Sequence, residues 1–191
     1  MKVTKPHLSM VVSYATRPMR EGETNGVEHW FITNEEADKL LADKDNVIAY
    51  TEIGDKRYFT TTECFDKDNV YIIDPKGIEY MKEHLKDKVI KVIYVYAPDK
   101  VREARAKTRS DSLETFYKRS ADENEQFTNF ELTHAHYDLF INNKDDDLQY
   151  SVERVVDFIR RTYTEDTLYL IVGRTCSGKD TITRNVLHLM G

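Results

Sequence analysis

The sequence predicts an α/β fold: a parallel β-sheet flanked by helices, with a small strand-rich substrate-binding insert and a helical lid. Three observations lead to this prediction. Apolar strand patterns alternate with helical patterns along most of the 191 residues, as in parallel sheets. Residues 29–61 are richer in strand patterns than the rest of the chain. Residues 168–190 read strand, glycine loop and helix in direct succession.

The individual elements follow from apolar periodicity and from turn residues. The predicted strands, in chain order, are residues 8–14, 29–33, 47–53, 57–61, 70–73, 89–97, 137–142 and 168–172. The predicted helices are residues 34–44, 76–86, 99–108, 112–135, 148–162 and 182–190. Asn34 can cap the first helix, and Gly54 with Asp55 can turn a hairpin. The helix over 148–162 is amphipathic, with its valines on one face.

Composition narrows the class of protein. The formal net charge is −6, which argues against a partner that is a nucleic-acid polymer. The two cysteines, Cys64 and Cys176, lie far apart and form no metal-type cluster, which favours a reduced, cytoplasmic setting. We find no apolar run long enough for a membrane span and no signal-peptide pattern. We therefore expect one cytoplasmic domain over 1–191 that does not bind a membrane.

Residues 173–179 have the Walker A spacing: Gly, four residues, Gly-Lys. Glycines let backbone N–H groups turn inward around a phosphate, and the helix N-terminus adds partial positive charge. Lys179 is placed to reach the β- and γ-phosphate oxygens, which an ordinary strand-to-helix turn does not explain. The predicted ATP-binding residues of this loop are Gly173, Arg174, Thr175, Cys176, Ser177, Gly178, Lys179, Asp180 and Thr181.

Asp180 stands where the Walker A pattern has Ser or Thr as a Mg²⁺ ligand. A carboxylate can bind Mg²⁺ directly or through water, so Asp180 is the candidate metal ligand. The alternative is that Asp180 only favours the helix N-terminus electrostatically. Thr181 lies about 100° further around the helix and is a poorer substitute.

Two sets of arginines accompany the loop. The sets are Arg17 with Arg20, and Arg102, Arg105 and Arg109 with Arg119. Guanidinium groups make forked contacts to phosphate, although each arginine could instead be a solvated partner of nearby acids. Two sets together with a phosphate loop favour a phosphoryl-transfer site.

Asp74 ends a buried strand pattern, at the edge where parallel α/β sheets bind ligands. There it could orient Mg²⁺-bound water or read the edge of a base. It could equally form the turn before Pro75 and Gly77. The sequence leaves both interpretations open.

The residues resemble the guanylate kinase family of nucleoside monophosphate kinases. Residues 12–26, Val-Ser-Tyr-Ala-Thr-Arg-Pro-Met-Arg-Glu-Gly-Glu-Thr-Asn-Gly, look like that family's substrate-phosphate segment, VSxTTRxxRxGExxG. The resemblance covers nearly the whole chain. It implies a P-loop NTPase-type sheet, a monophosphate-binding insert at 29–61, a helical lid at 99–135 and a P-loop unit at 167–191. It also implies transfer of the ATP γ-phosphate, with Mg²⁺, to GMP or a related (deoxy)nucleotide.

The resemblance assigns roles to individual positions. The implied substrate-binding residues are Ser13, Arg17, Arg20, His29, Tyr58, Thr60 and Asp74. His29 stands where the family usually has a phosphate-binding tyrosine. Lys179, Arg109 and Arg119 are the implied catalytic residues, the two arginines bridging donor and acceptor phosphates from the lid. Asn142 looks like the asparagine near the adenine of ATP.

Two base-reading positions depart from the family. Ala49 stands at the glutamate that reads guanine, and a register shift could bring Glu52 there instead. Ile72 replaces the first acid of the family's Asp-x-Asp strand end. These departures put guanine specificity in question more than monophosphate binding.

The order of the chain also departs from the family, in which the phosphate loop comes first. Here the family pattern begins near Thr167, reaches Gly191 and resumes at Lys2. This order is the signature of a circular permutation, which close termini make tolerable. We therefore expect Gly191 near Lys2, and the strands from Thr167 and Leu8 in one sheet.

The sequence thus predicts an ATP-dependent nucleoside monophosphate kinase, monomeric or homodimeric, with ATP and a nucleoside monophosphate as partners. One alternative is a kinase of another small phosphorylated metabolite, for which Ala49 and His29 are the reasons. The other is a non-catalytic guanylate-kinase-like binding module. Lys179, Arg109 and Arg119 argue against that module, because such scaffolds have usually lost the loop lysine.

Overall fold

The computed structural model describes residues 6–66, 68–108, 112–144 and 147–190. Its strands are β1 (Tyr14–Ala15), β2 (Trp30–Phe31), β3 (Val47–Ile53), β4 (Lys56–Thr61), β5 (Val70–Ile72), β6 (Val89–Tyr96), β7 (Leu139–Asn142) and β8 (Thr167–Val172). Its α-helices are α1 (Asn34–Leu41), α2 (Pro75–His84), α3 (Asp99–Lys107), α4 (Leu113–Glu131), α5 (Leu148–Thr162) and α6 (Lys179–Met190). Short 3₁₀ turns cover Thr62–Phe65 and His134–His136.

The first sheet has the strand order β5-β8-β6-β7, and all its pairings are parallel. This arrangement confirms the predicted α/β class. Strand β8 lies inside the sheet although it comes late in the chain, and each of its six residues is buried. A strand covered on both faces needs a continuous apolar run, which explains why 168–172 carries no polar alternation. The carboxyl ends of the four strands lie along one edge.

Helices cover both faces of this sheet. Helices α5 and α6 pack on one face of the sheet. Their residues Val155, Ile159, Ile182 and Val186 share a core cluster with alternating residues of β6 and β8. Helices α2 and α4 pack on the other face, against alternate residues of the same strands. The amphipathic helix predicted over 148–162 is confirmed with those bounds. Burial of its valine face, rather than intrinsic propensity, holds such a helix in place.

The second sheet has the order β2-β1-β4-β3 and is built from residues 14–61. Strands β3 and β4 form the predicted hairpin, and Gly54 at its tip has φ +64°. A positive φ suits glycine because it has no Cβ. Strand β1 pairs parallel with β2 and antiparallel with β4.

Three predictions about single elements differ from the structure. The first helix is capped by Thr33 rather than Asn34, because the Thr33 hydroxyl accepts from the Glu36 N–H. Residues 8–14 do not form one strand in the first sheet. Met10 makes a single parallel bridge to Val70 of β5, and the chain then crosses to the second sheet at Tyr14. The helix predicted to end near Ala135 stops at Glu131, and Thr133 then begins a 3₁₀ turn by accepting a hydrogen bond from the Ala135 N–H. The predicted approach of Gly191 to Lys2 lies outside the described residues.

In the described part of the chain, no helix combines the length and the apolar composition needed to cross a bilayer.

Candidate active site

The phosphate loop joins β8 to α6 at the carboxyl edge of the first sheet. Its turn is made by Cys176 at φ +62° and Gly178 at φ +94°. A Cβ on Gly173 would lie 2.5 Å from the Val95 carbonyl oxygen, and one on Gly178 would lie 2.3 Å from Asn143 Nδ2. Side chains at these two positions would therefore clash with backbone or with a buried amide. The two glycines of the motif are required by close approach, as the pattern predicts.

The loop's carbonyl groups are held from outside by three side chains. Arg102 Nη1 donates to the Thr175 carbonyl at 3.2 Å, and Arg105 Nη1 donates to the Ser177 carbonyl at 3.0 Å. Asn143 Nδ2 donates to the same Ser177 carbonyl at 2.8 Å. Buried carbonyl groups need donors, and these bonds supply them. Arg102 and Arg105 thus brace the backbone of the loop, a role that sequence reasoning did not consider for them.

Two adjacent asparagines end β7, and Asn143 is the one that contacts the loop. Asn143 is 4% exposed, and its backbone carbonyl oxygen accepts a hydrogen bond from Arg105 Nη2 at 3.0 Å. Asn142 is exposed and lies in a surface pocket beside Lys144 and Arg154. The two are adjacent at the end of β7, where side chains alternate between faces. The place of Asn142 near the adenine of ATP stays a prediction, and the contact of Asn143 with the loop was not predicted from the sequence.

Lys179 and Asp180 open α6. Lys179 Nζ lies 3.9 Å from Asp180 Oδ2, and the lysine side chain is the more enclosed of the two. Thr181 is exposed in the same turn. Among the described residues, no group of three or more His, Cys, Asp and Glu side chains could hold a metal ion. A metal at this position would therefore depend on Asp180 together with oxygens of a bound phosphate, as Mg²⁺ sites commonly do.

Helix α4 lies against the loop. Arg174 forms a forked ion pair with Glu131, at 2.9 Å and 3.0 Å, and its Nη1 donates to Asn124. Burial alone would raise the pKa of Glu131, but hydrogen bonds from Arg174 and Tyr94 outweigh it and lower that pKa. The guanidinium of Arg174, predicted to bind ATP, is thus turned toward α4. Arg119 is partly buried on the same helix, and Arg109 lies outside the described residues.

On the second sheet, Ser13, His29 and Tyr58 form a cluster. Ser13 Oγ lies 2.9 Å from His29 Nδ1, and the His29 ring meets Tyr58 edge-on at 5.7 Å. Burial, followed by the charge of Arg17, lowers the pKa of His29. The imidazole is therefore neutral at pH 7, so one ring nitrogen can donate a hydrogen bond and the other can accept one.

Arg17 joins this cluster and is held by an acid. Its Nη1 and Nη2 donate to the two carboxylate oxygens of Glu23, both at 2.6 Å, and Nη1 also reaches the Pro18 carbonyl. This pair raises the pKa of Arg17 and lowers the pKa of Glu23 to about 2. The guanidinium also lies 5.0 Å from the centre of the Phe31 ring. These contacts use three of the five N–H donors of a guanidinium group. Arg20 has an exposed side chain, and its backbone N–H donates to Glu23.

Thr60 and Asp74 both interact with Tyr71 of β5. Thr60 is fully buried, and Tyr71 lies beside it and beside Ser13. Burial raises the pKa of Tyr71, and the nearby Asp74 carboxylate adds to the rise. Asp74 caps α2 by accepting from the Gly77 N–H at 2.9 Å. The capping role, one of the two interpretations, is therefore present at the ligand-binding edge.

Strand β3 places Ala49 and Glu52 on opposite faces. Ala49 pairs with Thr60, whereas Glu52 pairs with Arg57. Paired residues lie on the same face of a sheet, and successive residues of a strand lie on opposite faces. The side chain of Ala49 therefore lies on the same face as those of Tyr58 and Thr60, and the side chain of Glu52 lies on the opposite face. The Glu52 carboxylate accepts instead from the Tyr50 hydroxyl at 3.1 Å. The β3–β4 pairing, which is irregular between Val47 and Ala49, therefore keeps Glu52 on the face opposite Ala49.

Known proteins match this chain over most of its length. The guanylate kinase family model matches residues 1–162, which leaves the phosphate loop outside the match. A guanylate kinase from Koribacter versatilis is 31% identical over 199 aligned positions, covering 94% of this chain and 82% of that protein. One from Francisella tularensis subsp. holarctica is 27% identical and covers 83% of the chain and 84% of that protein.

Solved structures show the same fold. The crystal structure of guanylate kinase from Anaplasma phagocytophilum superposes with a TM-score of 0.58 at 21% identity, covering 81% of this chain and 75% of that one. At that identity the match supports the architecture alone. The family model matches well over half of the chain, and the Koribacter versatilis relative is 31% identical over 94% of it. The chain therefore belongs to the guanylate kinase family of nucleoside monophosphate kinases.

Proposed function

We propose that this protein transfers the γ-phosphate of ATP to GMP or a related (deoxy)nucleoside monophosphate, giving ADP and the nucleoside diphosphate. The curated relatives are guanylate kinases, which supports this acceptor class. The observation that carries the proposal is the pairing of two sites. A phosphate loop ends β8, and a cluster of Ser13, Arg17, His29 and Tyr58 lies on the adjoining sheet. Arg184 of α6 approaches Glu28, beside that cluster, at 3.6 Å.

On the donor side, the loop amides and Lys179 would hold the ATP phosphates. The first N–H groups of α6 lack intrahelical acceptors, so they point toward the loop cavity with the positive end of the helix dipole. Asn143, Arg102 and Arg105 keep the loop in this shape by binding its carbonyl groups. Such preorganised donors stabilise charge without reorganising during the reaction.

A bound Mg²⁺ would be held by Asp180, and by Thr181 through water. Asp180 fits this role because its side chain is half exposed in the first turn of α6, with a carboxylate oxygen 3.9 Å from Lys179 Nζ. The ion would neutralise phosphate charge that the carboxylate would otherwise repel.

On the acceptor side, Arg17, Arg20, Tyr58, Ser13 and His29 would hold the monophosphate. Glu23 orients the Arg17 guanidinium and takes two of its five N–H groups, so that others can bind phosphate. His29 would offer one N–H donor as a neutral ring. The acceptor phosphate oxygen is the nucleophile, so the protein contributes alignment and charge stabilisation rather than a side-chain nucleophile.

Arg119, and Arg109 with it, would neutralise charge on the transferring phosphoryl group. Thr60 and Asp74 would lie toward the base. Ala49 presents only a methyl group on the acceptor face, so this face offers no β3 carboxylate to guanine. We therefore expect a broader acceptor range than a guanine-reading glutamate would allow.

The test is ADP release with GMP, dGMP, AMP, CMP, UMP and dTMP as acceptors. We expect turnover with at least one of these nucleotides. Lys179→Ala should lower kcat at least a hundredfold while the thermal midpoint is retained. Lys82→Ala, on the outer face of α2, is the matched control and should behave as the wild type. Binding of ATP without transfer to any acceptor would favour the non-catalytic module.

We also propose that the chain is a circular permutation of the usual family order. Strand β8 and its loop complete the parallel sheet between β5 and β6, although they follow the segment that matches the family model. Leu8 and Met190, near the two ends of the described chain, pack in the same core cluster. Their shared cluster supports a connection between α6 and the segment that leads to Met10.

A further inference from the structure

Three consecutive residues of the phosphate loop contact helix α4. Arg174 forms its forked pair with Glu131, and Cys176 packs with Phe116 in a small apolar cluster. Thr175, between them, binds Glu123. These contacts run along α4 from its first turn to its last. The helix predicted to be a lid is therefore fastened to the loop over its length.

The bond to Glu123 is the central and most polar of these contacts. Both carboxylate oxygens of Glu123 lie 3.0 Å from the Thr175 backbone nitrogen, and Oε1 lies 2.5 Å from Thr175 Oγ1. The carboxylate thus takes two donors of one loop residue. Arg102 holds the carbonyl of the same residue at 3.2 Å. The backbone of Thr175 is consequently fixed on both sides.

Arg119 lies four residues before Glu123 on α4. Residues four apart are neighbours on one side of an α-helix, about one turn from each other. Glu125, by contrast, lies about 200° around the helix from Glu123 and is exposed. A contact between Glu123 and the loop therefore fixes the position of the Arg119 Cα and Cβ atoms relative to the loop. A contact at Glu125, on another side of the helix, would not fix them.

We propose that Glu123 is a positioning residue for phosphoryl transfer: by binding Thr175 it holds α4 on the phosphate loop, so that Arg119 is aligned with the transferring phosphoryl group. This inference rests on the proposed function, which gives Arg119 its role in charge neutralisation. Glu123 itself touches neither substrate. A carboxylate beside a phosphate loop opposes anion binding, so its contribution lies in alignment rather than in ATP affinity.

Steady-state kinetics of Glu123→Ala and Glu123→Gln tests the proposal. We expect Glu123→Ala to lower kcat about tenfold or more, since misplacement of a group by 1 Å can have that effect. The KM for the acceptor should not change, and the KM for ATP should not rise. Glu123→Gln, which keeps one acceptor oxygen, should show a smaller loss of kcat. Glu125→Gln is the matched control and should keep wild-type kinetics.

A double-variant comparison separates positioning from a general loss of structure. If Glu123 acts through Arg119, Arg119→Ala and the Glu123→Ala/Arg119→Ala double variant should have the same kcat. Losses that multiply, or parallel losses in kcat and both KM values, would overturn the proposal. So would wild-type kcat in Glu123→Ala. If the alanine variant does not fold, Glu123→Gln and its double variant with Arg119→Ala serve the same comparison.

The outcomes also distinguish this proposal from the proposed function. Reduced kcat in Arg119→Ala with wild-type kcat in Glu123→Ala would reject positioning and keep the kinase assignment. Wild-type kcat in Arg119→Ala would remove the role of Arg119 and the positioning proposal together. No turnover by the wild-type protein with any acceptor would reject the proposed function itself.

Discussion

At the scale of single residues, four arginines near the site are each oriented by an acid or by a carbonyl. Glu23 holds Arg17, Glu131 holds Arg174, and loop carbonyls hold Arg102 and Arg105. A guanidinium fixed in this way loses less rotamer entropy when it binds a phosphate. These acids and amides are as much a part of the candidate site as the arginines.

The Arg17–Glu23 pair predicts an acid-sensitive contribution to stability. The folded-state pKa of Glu23 is about 2, below its ordinary value of 4.5, so the folded state favours the carboxylate. Its contribution is complete above pH 4.5 and is lost as pH falls toward about 2. Glu23→Gln should therefore destabilise the protein by about 2 kcal/mol at pH 7.

Urea unfolding at several pH values checks this prediction. The difference between wild type and Glu23→Gln should shrink steadily below pH 4.5. Glu21→Gln, two residues away and exposed, is the control and should show little difference at any pH. A difference between Glu23→Gln and wild type that stays constant down to pH 2.5 would mean that the ion pair does not stabilise the fold.

The two adjacent asparagines give a second prediction at this scale. Asn143→Ala removes one of the two donors to the Ser177 carbonyl inside the loop and leaves Arg105 Nη1 as the other. We expect a loss of about 1 kcal/mol and a thermal midpoint lower by about 3 °C, with weaker ATP binding. Asn142→Ala should change stability by less than about 0.5 kcal/mol, because its side chain is exposed. Calorimetry on both variants, with and without ATP, measures these effects. Equal effects of the two substitutions would contradict the assignment.

At the scale of elements, the ends and faces of strands decide what the site contains. Parallel strands place the phosphate loop, Asp74 and Asn143 along one edge, because their carboxyl ends coincide. In the antiparallel sheet, alternation decides which side chains face the acceptor. Strand β3 turns Ala49 toward this face and Tyr50 and Glu52 away from it.

The face of β3 predicts how acceptor preference can be changed. Ala49→Glu places a carboxylate across from Thr60, where it can accept from the N–H groups of guanine. We expect the ratio of kcat/KM for GMP to that for AMP to rise about tenfold. Tyr50→Glu puts the same charge on the opposite face and should leave the ratio unchanged. Competition kinetics with GMP and AMP measures the ratio of their kcat/KM values. An equal change of this ratio in both variants would show that the added charge is responsible, rather than the face of β3 on which it lies.

At the scale of the whole molecule, the sheet is completed by the last part of the chain. Strand β8 lies between β5 and β6 and pairs parallel with both of them. The exposed residues Glu165 and Asp166 connect α5 to it. A fold of this kind depends on which elements pack together more than on the order in which the chain visits them.

A rearranged chain tests the permutation. In this variant residues 165–191 precede residues 1–164, with Gly191 joined directly to Met1. It should fold with a thermal midpoint within a few degrees of wild type and keep the same turnover, because the new ends lie in an exposed connection. A second variant opened at Arg154, inside α5, should be severely destabilised. If the variant opened at residue 165 failed to fold while the natural order folds, the permutation proposal would be wrong.

Local patterns predicted much of the fold. The glycine loop, the amphipathic α5 and the β3–β4 hairpin each depend on residues close in sequence, so periodicity and turn chemistry specify them. Local patterns could not predict that residues 8–14 are divided between the two sheets instead of forming one strand. Whether Met10 pairs with β5 and Tyr14 with β4 is settled by partners more than 40 residues away.

The sequence alone determined that this protein has a Walker A loop on a parallel sheet, and it predicted an arginine segment that binds phosphate, because such motifs are short and contiguous. The tertiary structure decided the rest of the site. It placed Asn143 against the loop, turned Glu52 to the face opposite Ala49 and brought Glu123 to Thr175. Each of these outcomes depends on strand register or helix facing between distant segments. A shift of one residue or a quarter turn reverses them without altering any local pattern.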